Sequence, residues 1–212
     1  MSQIEFIPLI EPPTDKTLDN PNPPHDTAPT EVWDAYQKAL IDNNYRDFPN
    51  PIRTGIYQYR LFEVSLDNIE RIIALHIGDM DIRESISLFG GYALAIDDEI
   101  VLFPQCCGLL EEIHAWKHIL TDDFEPFYLP ECHPVPFISK KGDDLVISCD
   151  DSDEDFIPPS TAKTIIINHK KAQEALQKLL CDLQTYAEKL NRLSDKYQVE
   201  NLADILIFGQ DF

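Results

Sequence analysis

Between His169 and Tyr197 the apolar residues Ala172, Leu176, Leu179, Leu183, Ala187, Leu190, Leu193 and Tyr197 recur every three or four positions. That repeat lines one side of an α-helix. A strand would throw the same residues to opposite faces. Lys171, Gln177, Lys178, Gln184, Glu188 and Arg192 fill the remaining surface with solvated groups. A helix so long and so one-sided must lay its stripe on another apolar layer, which the rest of the chain has to supply. The stripe is read as core packing rather than as a cofactor groove.

Strands are the expected source of that layer. "SISLFGGYALAIDDEIVLFP" reads as strands in series with a turn at Asp97-Asp98, and Gly90-Gly91 as a bulge or bend. "GIYQYRLFEVS" is aromatic and β-branched enough for a further strand. Residues 136–149 read as a hairpin through "KKGDD", and "TIIIN" as a strand. "PFYLPECHPVPFIS" is too rich in proline to be a central strand. Two shorter helices are predicted: "EVWDAYQKAL", capped by Thr30 with Trp33, Tyr36 and Leu40 on one face, and "NIERIIALHIGD", capped by Asp67. "NLADILIFG" closes the chain as a short helix or strand.

The elements lack a βαβ rhythm, so the expectation is an α+β fold: a mostly antiparallel sheet packed by helices, with the long C-terminal amphipathic helix on it. Prolines crowd residues 8–29, which predicts an extended arm, with "IEFIPLI" as an anchoring strand. The expected division is an extended Pro-rich N-terminal arm over 1–29 and a single α+β domain over 30–212.

Charge narrows the partners. Thirty-eight acids against 17 bases leave a formal net charge of -21 in 212 residues. A binder of nucleic acid or of an anionic membrane surface needs the opposite sign, so both are excluded and a basic protein partner is expected. Five cysteines, two of them adjacent, do not make a secreted disulfide framework. "MSQIEFIPLIEPP" has no basic n-region and no long apolar run, and a reduced cytoplasm is the expected compartment.

The densest chemistry lies in "PQCCGLLEEIHAWKHIL", residues 104–120. On an α-helical wheel Leu109, Ile113, Trp116 and Leu120 form a core face, and Glu111, His114 and His118 gather nearly opposite. Two histidines one turn apart with a carboxylate can chelate zinc, and Cys132 and His133 could fold over to complete the set. A stripe opposite the core is equally the ordinary place for solvated side chains. Cys106 and Cys107 lack the C-x-x-C spacing of redox pairs; one thiol near a helix start would have a lowered pKa. Asp151, Asp153 and Asp155 alternate as in a calcium loop, but Phe156 and Ala162 stand where glycine and glutamate belong. Phosphate loops and nucleophile elbows are absent from the sequence.

"FGGYALAIDDEIVLFPQCCGLLEEIHAW" and "CHPVPFIS" resemble small bacterial proteins of the immunity type, which neutralise a toxin. Over Ser87 to Ser139 the chain is loosely similar to the SUKH superfamily, from which its proline arm and long final helix depart. The resemblance implies an α+β fold, partner binding through surface residues and no active site. Two functions follow as expectations. One is an acidic intracellular binding protein, an immunity or inhibitor protein, that uses Asp143, Asp144, Asp150, Asp151, Asp153, Glu154 and Asp155, with Asp122 and Asp123 beside them, and no cofactor. The other is a metal-assisted or thiol-dependent enzyme centred on Cys106–His118, with zinc on Glu111, His114, His118, Cys132 and His133.

Overall fold

In the computed structural model, which describes residues 2–130 and 132–209, the segment Ile4–Ile10 forms strand β1. It lies between β2 (Tyr59–Arg60) and β3 (Gly90–Ile96), and β3 carries β4 (Glu99–Leu102), in the order β2-β1-β3-β4 with every pairing antiparallel. The apolar run of β1 does not alternate because both sheet faces are covered. Phe6 and Ile10 join Tyr92 and Leu94 in the main core, while Ile7 and Leu9 meet Ala93 and Ala95 in a smaller cluster beneath Ile52 and Ile100. Proline sits inside this strand without breaking the ladder. Glu11 N–H donates to Phe89 O on the β3 side. By alternation Pro8 turns its missing donor toward the β2 side, where β2 pairs only with Leu9 and Ile10.

The expected anchoring strand is thus hydrogen-bonded on both sides within this sheet. From Glu11 to Pro29 the chain is irregular but tied down. Asp15 N–H donates to Asn44 Oδ1 at 2.6 Å, Arg71 pairs with Asp15 at 2.7 Å, and Tyr45 donates its hydroxyl proton to Pro13 O.

Helix α1 (Thr30–Asn44) starts with Pro29, not Thr30, at the cap position and without a side-chain cap. Helix α2 (Leu66–Ile77) is capped by Ser65, whose Oγ accepts from Asn68 N–H, so Asp67 falls within the first turn. The strand expected in "GIYQYRLFEVS" shrinks to β2 followed by a 3-10 turn at Leu61–Glu63. The chain must turn there to reach the Ser65 cap. The Asp97-Asp98 hairpin is as expected, with both residues at positive φ, 49° and 67°, the twist that two-residue hairpins favour. The bulge, however, falls between Leu94 and Ala95. Gly90 is required for another reason: a Cβ there would overlap the Leu9 carbonyl oxygen and come within 2.9 Å of Ile10 Cα.

A second antiparallel sheet follows, β5 (Phe127–Tyr128), β6 (Phe137–Lys141), β7 (Asp144–Ser148) and β8 (Thr164–Asn168), in sequence order. Strand β8 alternates Ile165 and Ile167 inward with Ile166 outward, the pattern of a half-covered sheet.

Asn168 caps the long helix α4 (His169–Leu190), its side chain accepting from Lys171 N–H. Ala172, Leu176, Leu179, Leu183, Ala187 and Leu190 of the predicted stripe are buried, while Leu193 and Tyr197 are half-buried past the helix end. The stripe packs on β1 and on β7 and β8, so one core cluster spans both sheets. Each fully buried leucine contributes roughly 2 kcal/mol of transfer free energy to that cluster. The short helices α5 (Ser194–Tyr197) and α6 (Leu202–Leu206) lie beyond it; in chain order the single α-helical turn Ile113–Trp116 is α3. Among the described residues no helix is long and apolar enough to cross a membrane.

Candidate functional site

The segment expected to be one helix from Leu109 to Leu120 is three short pieces: a 3-10 turn at Leu110–Glu112, the α-turn α3, and a 3-10 turn at Lys117–Leu120. The residues turned fully inward are Leu110, Ile113, Trp116 and Ile119, a strict spacing of three. Trp116 meets the Phe6 ring edge-on, centroids 5.0 Å apart.

This change of period disperses the expected metal ligands. Each residue of a 3-10 turn advances about 120° rather than about 100°, so His114 and His118 splay instead of stacking. His114 Nε2 meets the Phe208 carbonyl, and Glu111 lies against Gly209. His118 packs on the Phe127 ring at 5.2 Å. Cys132 is buried, its Sγ 3.7 Å from the carbonyl oxygens of Leu129 and Pro134. Among the described residues no three His, Cys, Asp or Glu side chains form a group fit to hold a metal. The expected zinc set Glu111, His114, His118, Cys132 and His133 is thus not brought together among the described residues. His114 instead bonds the Phe208 carbonyl, with Glu111 beside Gly209.

Two other expected residues do meet. Cys106 and His133 exchange backbone hydrogen bonds, Cys106 N–H to His133 O at 3.1 Å and His133 N–H to Cys106 O at 3.0 Å. The two exposed sulfurs of Cys106 and Cys107 lie 3.4 Å apart, with Cys107 at φ 65°. Contact with the Cys107 thiol, burial, and the nearby charges of Glu11 and Glu154 push the Cys106 pKa up. A nucleophilic thiol needs the opposite environment, a cation or an unopposed helix N-terminus. The shift at Cys106 is thus opposite to the one that would activate a thiol.

The acidic residues separate into two groups at opposite ends of β7, roughly 17 Å apart at 3.3 Å per residue. Asp143 and Asp144 sit at the β6–β7 turn next to Lys140 and Lys141, with Lys141 directly opposite Asp144. Lys140 and Lys141 offset the charges of Asp143 and Asp144 there. Lys140 also reaches Asp122 O, at 2.6 Å, bringing Asp122 to the same end.

The loop after β7 keeps its charge. Asp150, Asp153, Glu154 and Asp155 are exposed and Asp151 is half-buried; Lys163 pairs with Asp150 at 2.6 Å. The Asp153 N–H, 2.9 Å from Asp151 Oδ1, is the main cause of a lowered Asp151 pKa, to which His133 also contributes. The loop is fastened to the fold at its far end. Gln105, 3 % exposed, donates from Nε2 to Ile157 O at 2.9 Å and accepts Ile157 N–H at Oε1 at 2.8 Å.

Next to this junction lies a cleft of about 510 Å³ that sequence reading missed. Its walls include Glu11, Tyr57, Gln58, Tyr59, Pro104 and Cys106, with Ile157 of the loop at its border. Gln58 is buried and donates from Nε2 to Glu11 Oε1 at 2.7 Å and to Pro104 O at 3.0 Å. Both partners are acceptors, which fixes the orientation of the amide. Burial raises the pKa of Glu11, and the Gln58 hydrogen bond only partly offsets it. Tyr57 is pushed up to about 12, first by burial and then by its hydrogen bond to Asp34, so it stays a neutral phenol. No motif announces this arrangement: Glu11 and Gln58 are 47 positions apart.

Comparison with protein-family models, with curated proteins and with solved structures finds no match for this chain. What the coordinates define is the class: an α+β protein of two four-stranded antiparallel sheets joined by a long helix.

Proposed function

We propose that this chain is an acidic capture protein of the immunity or inhibitor kind. It binds a basic macromolecular partner through surface charge, in a reducing cytoplasm and without bond-making chemistry. The observation that carries the reading is the loop Asp150–Asp155. It concentrates five carboxylates, of which Asp150 pairs with Lys163, and is held to the buried frame by Gln105. Carboxylates presented from a fixed base steer a cationic partner at long range and then meet it with little loop ordering left to do. A surface charge of this sign repels nucleic acid and anionic lipid alike, which leaves basic proteins as the favoured partner class.

Two observations weigh against the second reading, a metal-assisted or thiol enzyme. The expected ligands point to different neighbours, and the groups around Cys106 favour its protonated form. Affinity capture from the source cells tests the proposal, comparing the natural chain with a D150N/D151N/D153N/E154Q/D155N variant. The expected result is a basic protein retained at low salt by the natural chain and lost with the neutralised loop. Capture unaffected by the five substitutions, or no basic protein at all, overturns it.

A further inference from the structure

We propose that the cleft beside Cys106 receives the guanidinium of an arginine side chain of the basic partner, with Glu11 as its carboxylate and Tyr57 and Tyr59 as its aromatic wall. This deepens the capture reading and rests on it.

The chemistry is read from the walls. Glu11 is the sole carboxylate lining the cleft, and no Lys, Arg or His is among its described lining residues. One Glu11 oxygen is held by Gln58; the other has no hydrogen-bond partner among the described residues. Gln58 Oε1 is likewise buried with no hydrogen-bond partner among them. The cleft therefore offers one carboxylate oxygen short of a donor, and no counter-charge among its described lining residues. A guanidinium brings five N–H donors in a plane and a delocalised charge that is weakly hydrated. It can face a carboxylate on its edge and lie on a phenol ring on its flat side. An ammonium has the charge but not the plane. A volume near 510 Å³, lined also by Ile56 and Pro104, has room for the three-carbon stem.

The position favours the same occupant. Ile157 belongs both to the cleft border and to the end of the acidic loop, and Glu154 is close enough to act on the Cys106 thiol. Loop and cleft are therefore contiguous. A partner drawn in by the loop has a recess beside it that accepts one cationic side chain deeply. Burial also makes the Glu11 carboxylate harder to ionise than an ordinary one, and a bound cation offsets that cost.

The test titrates the full chain with acetyl-Gly-Arg-Gly-amide and follows backbone amide signals by NMR. Counterpart peptides carry citrulline, which keeps the shape without the charge, and lysine, which keeps the charge without the plane. The arginine peptide is expected to shift signals at residues 55–59 and 105–106. The citrulline peptide should leave them unmoved, the lysine peptide should bind more weakly, and Glu11→Gln should weaken the arginine peptide by at least about tenfold. Tyr57→Leu, which keeps Glu11 and removes the ring, should weaken it as well. Shifts confined to residues 150–155, equal affinity for Glu11→Gln, or equal affinity for lysine overturns the assignment. Loop-dependent capture that persists while the peptide fails to enter the cleft overturns this inference and leaves the capture reading standing. Peptide entry without loop-dependent capture does the reverse.

Discussion

Gln105 grips Ile157 at both of its backbone polar groups, Nε2 to the carbonyl at 2.9 Å and Oε1 to the amide at 2.8 Å. A third bond, from the same Nε2 to Phe103 O at 2.8 Å, ties the pair to the end of β4. One buried side chain thus joins the acidic loop to the first sheet, across 52 residues of sequence.

Gln105→Leu should therefore free the loop. The substitution removes three hydrogen bonds, two of them to the backbone of the exposed Ile157, a loss of about 1–3 kcal/mol. Chemical denaturation gives the stability change, and hydrogen exchange at the Ile157 amide should accelerate well beyond that of the β7 amides. An exchange rate at Ile157 equal to that of the natural chain contradicts this role.

Gly90 tolerates no side chain. A Cβ there meets the Leu9 carbonyl at φ 149°, where Gly90 pairs with Ile10 at one end of the β1–β3 ladder. Gly90→Ala is expected to destabilise by about 3 kcal/mol or more, or to prevent folding. Gly142→Ala at the β6–β7 turn, where a Cβ meets nothing within 4 Å, carries only the strain of its φ of 64° and should cost about 1 kcal/mol. Thermal melts of the two variants side by side check the contrast.

Asp15 gives a defined acid limb. Hydrogen bonds from Thr17, first its hydroxyl and then its N–H, together with Arg71, bring its pKa down to about 2 from 3.8. A folded-state pKa below the unfolded one stabilises above the unfolded value and is lost as pH falls through the folded one. The contribution is whole above about pH 5 and disappears as pH drops from 4 toward 2. Asp15→Asn should flatten the stability curve in that window relative to the natural chain. Parallel acid-unfolding curves for the two proteins contradict the assignment.

The cysteines should separate in a thiol-alkylation time course. Cys106, Cys107 and Cys181 are exposed, whereas Cys132 and Cys149 are buried. Three thiols are expected to react in the native state and the other two only on unfolding. Burial holds Cys149 at about 11, a further reason for its inertness. Modification at Cys106 should quicken at a higher pH than for a free thiol, in line with its raised pKa. Labelling of Cys149 at the rate of Cys181 contradicts the packing described for β7.

These features differ in how far the residues alone disclose them. The α4 stripe is local and long, so its period is readable, and the Asp97-Asp98 turn announces itself by residue type. The breakdown at Leu110–Leu120 has a specific cause: Leu109 and Leu120 fit an α-helical face as well as Leu110 and Ile119 fit a 3-10 face, and tertiary packing on Phe6 decides between them. Two histidines that share a stripe in one helix type part company in the other. Asp143 and Asp150 are seven positions apart in sequence, yet a five-residue strand carries them to opposite ends of a sheet. The Glu11–Gln58 pair depends on β1 lying beside the segment that carries β2, a long-range pairing that no local pattern encodes.

The most direct measurement of the proposed capture is the association rate of this chain with a basic protein retained in the affinity experiment, followed across ionic strength for the natural chain and the five-fold neutralised loop. Electrostatic steering predicts a rate that falls by about tenfold or more between roughly 20 and 300 mM salt for the natural chain, and a slower, nearly flat dependence for the variant. Equal rates for the two proteins, insensitive to salt, would contradict it.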